Sequence, residues 1–348
     1  MFKPFIMPRI KVVIFLFFTV FFTSRLQSQI ISPVIKEGNI TVSSVSRTSA
    51  APLPDSLMAP FKRGVNFSHW FENVSHFSQV NFNLYSREDF ENIKSLGCDH
   101  VRVPVEFFEM TGPAPDFIIH PLLFNFLDRA VDWAEELGLY LIIDNHGFEN
   151  DFEMGEAYLD QLLAVWAQVA GHYADRSALI CYEILNEPHG LTADQWNELQ
   201  QQTIDTIRSI DRYHTIIVGP VNYNNYNDLD LMQNFIDTNL IYTFHFYDPL
   251  LFTHQGAGWM FPGMEDLSGV PFPYVEDQMP DLPPELTGTW IETNYNNYPS
   301  EGNDAWIQSK IAVAVDFRDS RKVPVWCGEF GVYKHGSPAE DRIRWLEV

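Results

Sequence analysis

From about residue 62 onward the chain alternates two hydrophobic patterns. Short apolar runs, rich in β-branched and aromatic residues, end in polar side chains, and stretches with helical spacing lie between them. The runs at 63–70, 100–106, 140–146, 179–188, 215–220, 241–249 and 324–332 predict strands. The stretches at 86–96, 121–137, 156–174, 192–210, 228–236 and 304–319 predict helices. In the second helix Leu123, Leu127, Ala130, Val131 and Ala134 share one face; in the third Leu159, Leu162, Leu163, Trp166 and Ala170 do. Gly97 and Gly138 close two helices as C-caps. This βαβα order predicts a parallel sheet. Residues 250–303, after the sixth strand, show no helical period. An irregular segment of that length in a compact domain is usually functional, and its Trp259, Phe261, Tyr274, Trp290 and Tyr295 can line a groove.

Two closures compete, an open doubly wound sheet and a (β/α)8 TIM barrel. No Gly-rich phosphate loop follows any strand, which disfavours the open sheet. Polar residues gather instead at the C-terminal ends of many strands: Asn66, His69, Arg102, Glu106, His146, Asn186, Glu187, His245, Tyr247 and Glu329. A barrel brings those ends to one mouth, where such folds keep their active sites. The expected fold class is therefore α/β, a (β/α)8 barrel.

The segment before the barrel has a different character. Lys3, Arg9 and Lys11 precede an apolar run at 12–22, the charged and hydrophobic regions of an export signal, and too short a run to cross a bilayer comfortably. Residues 30–61 are rich in Ser, Thr and Pro and read as a linker. The expected organisation is a signal peptide at 1–29, a linker at 30–61 and a catalytic barrel at 62–348. The expected location is outside the cytoplasm, extracellular or periplasmic, with no stable membrane insertion once the signal is removed. Asn39, Asn66 and Asn73 each open a glycosylation triplet, a pattern frequent by chance.

Composition narrows the partners. The 348 residues carry 22 Lys and Arg against 46 Asp and Glu, a formal charge of −24. Phosphate binding needs basic clusters, so nucleic acid is disfavoured, as is an anionic membrane surface. Aromatic residues at 15% with nine Trp suit a large core or a surface that stacks flat ligands. The three cysteines, Cys98, Cys181 and Cys327, have no metal or redox spacing. Strand alternation puts Cys181 on one face with Glu183, Leu185 and Glu187, and Cys327 on one face with Val325 and Glu329. Their different depths argue against a bridge between them.

The fourth and seventh strands each end in a carboxylate, Glu187 and Glu329. Carboxylates seldom occupy apolar strand ends unless paired or functional. Two of them facing one cavity can divide roles, one keeping its proton and one staying ionised beside a cation. That division suits glycoside hydrolysis. Arg102 is placed to hold one carboxylate ionised, His146 and His245 to tune protonation, and Tyr247 to donate its hydroxyl. Glu183 is a buried-looking charge that Arg102 or a histidine can pair. A lone strand-end His or Tyr is commonly a satisfied structural group; the convergence of six such groups carries the inference.

Ile184-Leu-Asn186-Glu187-Pro188 and Gly328-Glu329-Phe-Gly331 resemble the two signature strands of the cellulase-type glycoside hydrolase family 5, in clan A. Gly64-Val-Asn66-Phe, Val101-Arg102-Val-Pro104, Asp144-Asn-His146 and His245-Phe-Tyr247 resemble its other strand ends, in order. The resemblance runs from about residue 62 to the end. It implies a retaining, endo-acting hydrolase of a β-linked polysaccharide, cellulase-like, working without metal or other cofactor. Glu187 would be the acid/base, Glu329 the nucleophile, and Asn186 the partner of the sugar 2-hydroxyl. Arg102 and Tyr247 would orient Glu329, and His146 and His245 would frame the cleavage subsite. Asn66 would support the site, with Trp70, Trp259 or Trp290 stacking on sugar. A β-mannanase, a β-1,3-glucanase or a non-catalytic carbohydrate-binding barrel are the alternatives. Two departures stand out. Many members have a second His after His146, and here Gly147 stands. The chain also reaches Val348 too soon after Glu329 for the roughly 30 residues of a further βα unit, so the expected barrel is truncated before its eighth strand.

Overall fold

The computed structural model describes residues 61–72, 77–147 and 156–348. The export signal, nearly all of the linker, and the Asn39 and Asn73 triplets lie outside the described residues. Seven strands are found there: β1 Gly64–Asn66, β2 His100–Val105, β3 Tyr140–Asn145, β4 Ile180–Glu183, β5 Thr215–Val218, β6 Leu240–Phe246 and β7 Val325–Phe330. They form one sheet in chain order, parallel at every pairing. The helices of eight residues or more are α1 Arg87–Ser95, α2 Pro121–Leu137, α3 Glu156–Tyr173, α4 Ala193–Ile210, α5 Trp290–Glu301, α6 Asp304–Arg321 and α7 Ala339–Leu346. The strands curl into a nearly closed barrel with the helices outside it, as the sequence pattern predicts.

Local chemistry sets the element ends. Pro121 opens α2 at a position where its missing N–H costs nothing. Gly138, at φ 62°, ends it with left-handed backbone. Capping boxes start α1 at Ser86 with Asp89 and α4 at Thr192 with Gln195. The barrel interior is filled by Ile142, Cys181, Ile217, Ile241 and Trp326, with Phe61 and Tyr140 packed against them. A larger core lies between strands and helices. The β1 and β7 edges flank a cavity of about 390 Å³. Across that gap the Asn66 side-chain amide donates to the Gly328 carbonyl at 3.3 Å.

Four expectations need correction. Residues 250–303 are not all irregular: they contain α5, capped by the Thr289 hydroxyl, whose period is hidden by its polar sequence and Pro299. The helix expected at 228–236 is only a 3₁₀ segment, Tyr226–Leu231, because Arg321 takes the Asp230 and Met232 carbonyls. The first strand stops at Asn66, and the chain turns at His69, where φ is 63°. The alternation assumed in β7 also fails. Phe244 pairs with Cys327 but His245 pairs with Glu329, so Gly328 is an extra, bulged residue. The bulge puts Trp326 in the inner cluster and Glu329 in the site, with Cys327 in neither. All three cysteines are free.

Candidate active site

The inward rows of the strands build the site in layers. On β2 the row is His100, Arg102, Pro104; on β3 it is Ile142, Asp144, His146; on β4 it is Cys181, Glu183, and, above the strand end, Glu187. Arg102, 1% exposed, is the hub. Its Nε and Nη2 hold the two Glu183 oxygens at 2.6 and 3.0 Å, a bidentate pair. Its Nη1 donates to Glu329 Oε1 at 2.7 Å and Asn66 Oδ1 at 3.1 Å. Its Nη2 also reaches Asn186 Oδ1 at 2.9 Å and Asp144 Oδ2 at 2.9 Å. One guanidinium thus serves three buried carboxylates, which raise its own pKa against the opposing effect of burial. Asn66 is occupied on both sides by Arg102 and Gly328, which speaks against glycosylation there.

Glu329 receives two donors and faces one imidazole. Besides Arg102 it accepts from the Tyr247 hydroxyl at 2.8 Å, and His245 Nδ1 lies 3.5 Å away. Burial alone would raise its pKa, but the charges of His245, Arg102 and His146 and the Tyr247 donor outweigh that and hold it at about 2. The same His245 nitrogen lies 2.8 Å from Glu187 Oε1, so one imidazole stands between the two glutamates. Burial lowers the His245 pKa, and the two glutamates more than reverse that.

Glu187 sits at φ 47°, a strained conformation for a residue with a side chain. Its flanks keep it there: the Asn186 backbone N–H donates to the Asn145 carbonyl at 2.8 Å, and His189 Nδ1 lies 2.8 Å from the Glu187 carbonyl. Glu187, His245 and Glu329 offer ligand atoms all within 4.8 Å of one another, dense enough to hold a cation. The Glu329 oxygens there are already served by a guanidinium, a phenol and an imidazole.

Sequence reasoning missed several members. Glu72 is buried and accepts the His69 amide at 2.6 Å. With Asp144 it brackets His146: Nδ1 lies 2.7 Å from Asp144 Oδ2 and Nε2 lies 3.2 Å from Glu72 Oε2. Burial opposes the His146 charge, but these two carboxylates push its pKa up to about 10. Asp144 was visible two residues before His146; Glu72 was hidden by the turn at His69. Tyr223 was also missed. Asn222, Tyr223 and Asn224 all have positive φ. The ring, 48% exposed, stacks on His189 at 4.4 Å and 15°. Burial, then the Glu187 charge, raises its hydroxyl pKa.

The structure does not bring Trp70 to the mouth. It is 1% exposed, donates its indole N–H to the Phe82 carbonyl and stacks on Phe71 at 4.5 Å. Both faces are spent on the core, so the sugar-stacking expectation fails for it. Trp259 is half-buried and packs edge-on against Tyr333 at 4.3 Å. Trp290 is 43% exposed on α5 and meets Phe261 edge-on.

A parallel barrel whose mouth holds two glutamates with one imidazole between them suits the hydrolysis of glycosidic bonds. Residues 62–348 match the model of the cellulase family, glycosyl hydrolase family 5, and the chain belongs to it. It is 30% identical over 342 residues to endoglucanase 3 of Fibrobacter succinogenes, covering 91% of this chain and 51% of that one. It thus spans about half the length of that relative. It is 28% identical over 302 residues to endoglucanase C of Acetivibrio thermocellus, covering 83% and 87%. The endoglucanase Cel5A of Thermotoga maritima superposes with a TM-score of 0.70 at 30% identity, covering 84% and 86%. Structures of that enzyme exist with cellobiose and with mannotriose. Its barrel is that of a glycoside hydrolase of this family.

Proposed function

We propose that the protein is a retaining endo-β-1,4-glucanase with Glu329 as nucleophile and Glu187 as acid/base. The observation that carries this is the spacing: an oxygen of Glu187 lies within 4.8 Å of one of Glu329. Retaining pairs stand about 5–5.5 Å apart, whereas inverting pairs leave about 6.5–9.5 Å for a water. The electrostatics agree, since Glu329 is held ionised, as a nucleophile must be. In the first step a Glu329 oxygen bonds the anomeric carbon while Glu187 gives its proton to the departing glycosidic oxygen. In the second, Glu187 takes a proton from water, whose oxygen displaces Glu329. Arg102 and Tyr247 fix the two Glu329 oxygens before and after attack. Asn186, its Oδ1 turned to Arg102, has its amide nitrogen 3.4 Å from His146 Nε2, and we assign that amide to the sugar 2-hydroxyl. His146 and His245 frame the subsite, and Trp259 contributes an aromatic wall.

The substrate class is a neutral β-linked polysaccharide. β-Mannan is the second reading, since the Thermotoga neighbour has been solved with both cellobiose and mannotriose. The basic and apolar segments at 1–22 support export to a polysaccharide outside the cell. Among the described residues no helix is long and apolar enough to cross a membrane. NMR of the earliest product tests the mechanism: anomeric retention is expected, and initial inversion overturns it. A panel of β-glucans and β-mannans tests the substrate; Glu329→Gln should abolish whatever activity is found.

A further inference from the structure

The Tyr247–Glu329 hydrogen bond joins the ends of two strands, and what ties those ends together lies behind the site. Beyond β6 the chain forms a short helical turn, Leu250–Thr253. Its last residue, Thr253, is 1% exposed. The Thr253 hydroxyl donates back to the Tyr247 carbonyl. The Thr253 carbonyl accepts the Tyr333 N–H at 2.7 Å, and Tyr333 follows closely on β7, the strand that carries Glu329. One residue therefore links the segment that bears Tyr247 to the segment that follows Glu329. Glycine at 336 lets the two segments close up: a Cβ there would stand 2.3 Å from the Gln255 carbonyl oxygen.

Donor counting fixes the direction of these bonds. A hydroxyl has one proton to give, and carbonyl oxygens only accept. Thr253 Oγ1 faces two carbonyls, that of Tyr247 in close contact and that of Pro249 at 3.5 Å. Its proton is committed to the backbone, so toward His254 Nδ1, 3.0 Å away, it can only accept. His254 must then carry a proton on Nδ1. Burial lowers the His254 pKa to about 4, so the ring is neutral and Nε2 is bare. The same ring packs edge-on against the Tyr247 ring at 5.3 Å and 79°. Tyr247 is thus held by its carbonyl and by its ring, while its hydroxyl donates to Glu329 Oε2 at 2.8 Å.

We propose that Thr253, oriented by His254, is a positioning residue for the nucleophile, setting the Tyr247–Glu329 hydrogen bond from behind. The proposal rests on the hydrolase reading above and deepens it. Thr253 acts through Tyr247 and not on the substrate. The other groups that face Glu329, namely Arg102, Glu72, His146, Glu187, His245 and Cys327, keep their side chains when Thr253 is changed.

The test is the acid limb of kcat/KM on a β-glucan that the protein hydrolyses. Thr253→Val keeps the shape of the side chain and removes the hydroxyl. A loosened Tyr247 donor favours the ionised Glu329 less, so the limb should move to higher pH by about half a unit. The kcat should fall by about threefold, less than for outright loss of a preorganised donor. Thr253→Ser restores the hydroxyl and should restore both. In a Tyr247→Phe background Thr253→Val should add no further shift, because residues acting through one bond do not add. A purely structural role would lower the thermal midpoint of Thr253→Val and leave the limb in place. An unmoved limb in the folded variant, a shift that Thr253→Ser shares, or a shift that persists in full beside Tyr247→Phe overturns the proposal. Nitrogen NMR of the unsubstituted full chain tests the tautomer without any need for activity. His254 should be protonated on Nδ1 alone; protonation on Nε2 alone would reverse the hydrogen-bond chain and overturn the proposal. Absence of activity on the whole glycan panel, with that tautomer present, would instead count against the hydrolase reading.

Discussion

Arg102 Nη1 lies 2.7 Å from Glu329 Oε1, with the two side chains 1% and 3% exposed. The contact joins the most connected cation of the barrel to the proposed nucleophile. Because the same guanidinium also serves Glu183 and Asp144, its removal strands three buried charges at once. Breaking a buried pair from one side costs about 3–5 kcal/mol, so Arg102→Ala is expected to lose at least that in chemical denaturation. Arg102→Lys keeps the charge but not the planar fork. It should fold, with kcat reduced by about 100-fold, as for loss of one preorganised donor. A Lys variant with unchanged kcat would remove Arg102 from the catalytic account.

Tyr247 tests the same carboxylate from its other oxygen. Its hydroxyl donates to Glu329 Oε2 at 2.8 Å. Tyr247→Phe deletes a hydrogen bond that favours the ionised form, so the Glu329 pKa must rise from about 2 toward its ordinary 4.5. The acid limb of kcat/KM should shift to higher pH, with kcat down about tenfold. Stability follows the same sign. A carboxylate with a depressed folded-state pKa contributes stability above its unfolded value, lost as pH falls through the folded value. The variant should lose that contribution at a higher pH than the unsubstituted protein in acid denaturation.

Much of this was legible in the sequence, for a physical reason. Parallel strands covered on both faces are continuous apolar runs, and their polar ends mark the barrel mouth. Arg102, His146, Asn186, Glu187, His245, Tyr247 and Glu329 all announced themselves in that way. Trp70 did not, because an aromatic run does not say which ring faces the core. Glu72 lies beyond a left-handed turn at His69, where strand alternation no longer applies. The bulge in β7 is set by the space available to Gly328, which no periodicity reports.

That space yields a further prediction. A Cβ on Gly328 would lie 2.6 Å from Thr243 Oγ1 and 3.3 Å from His245 Nε2. Thr243 is buried, 1% exposed, and its short side chain has nowhere to retreat. Gly328→Ala should therefore destabilise the fold by about 1–3 kcal/mol, the usual range for overpacking. The displacement would act on the residue before Glu329 and on His245, so kcat should fall more than stability alone explains. Denaturation midpoints and kcat measured well below the transition separate the two effects. Full activity in a folded Gly328→Ala variant would contradict the tight bulge.

Tyr223 presents the other side of the cleavage point. Its ring is braced by His189 and held out by three consecutive residues of left-handed backbone, a strained arrangement of the kind kept at ligand contacts. His189, which braces the ring, also lies 2.8 Å from the Glu187 carbonyl, so the ring stands on the Glu187 side, where the leaving sugar is expected. Stacking should be worth about 0.5–1.5 kcal/mol beyond simple burial. Tyr223→Ala is then expected to raise KM for cellopentaose by about three- to tenfold, since 1.4 kcal/mol is a factor of ten. Tyr223→Phe keeps the ring and should stay near the unsubstituted value. The split matters as much as the size: a platform that binds substrate and transition state alike raises KM with kcat little changed. A fall in kcat at constant KM would mean instead that the ring supports the strained Glu187 backbone through His189, and its role as a sugar platform would be withdrawn.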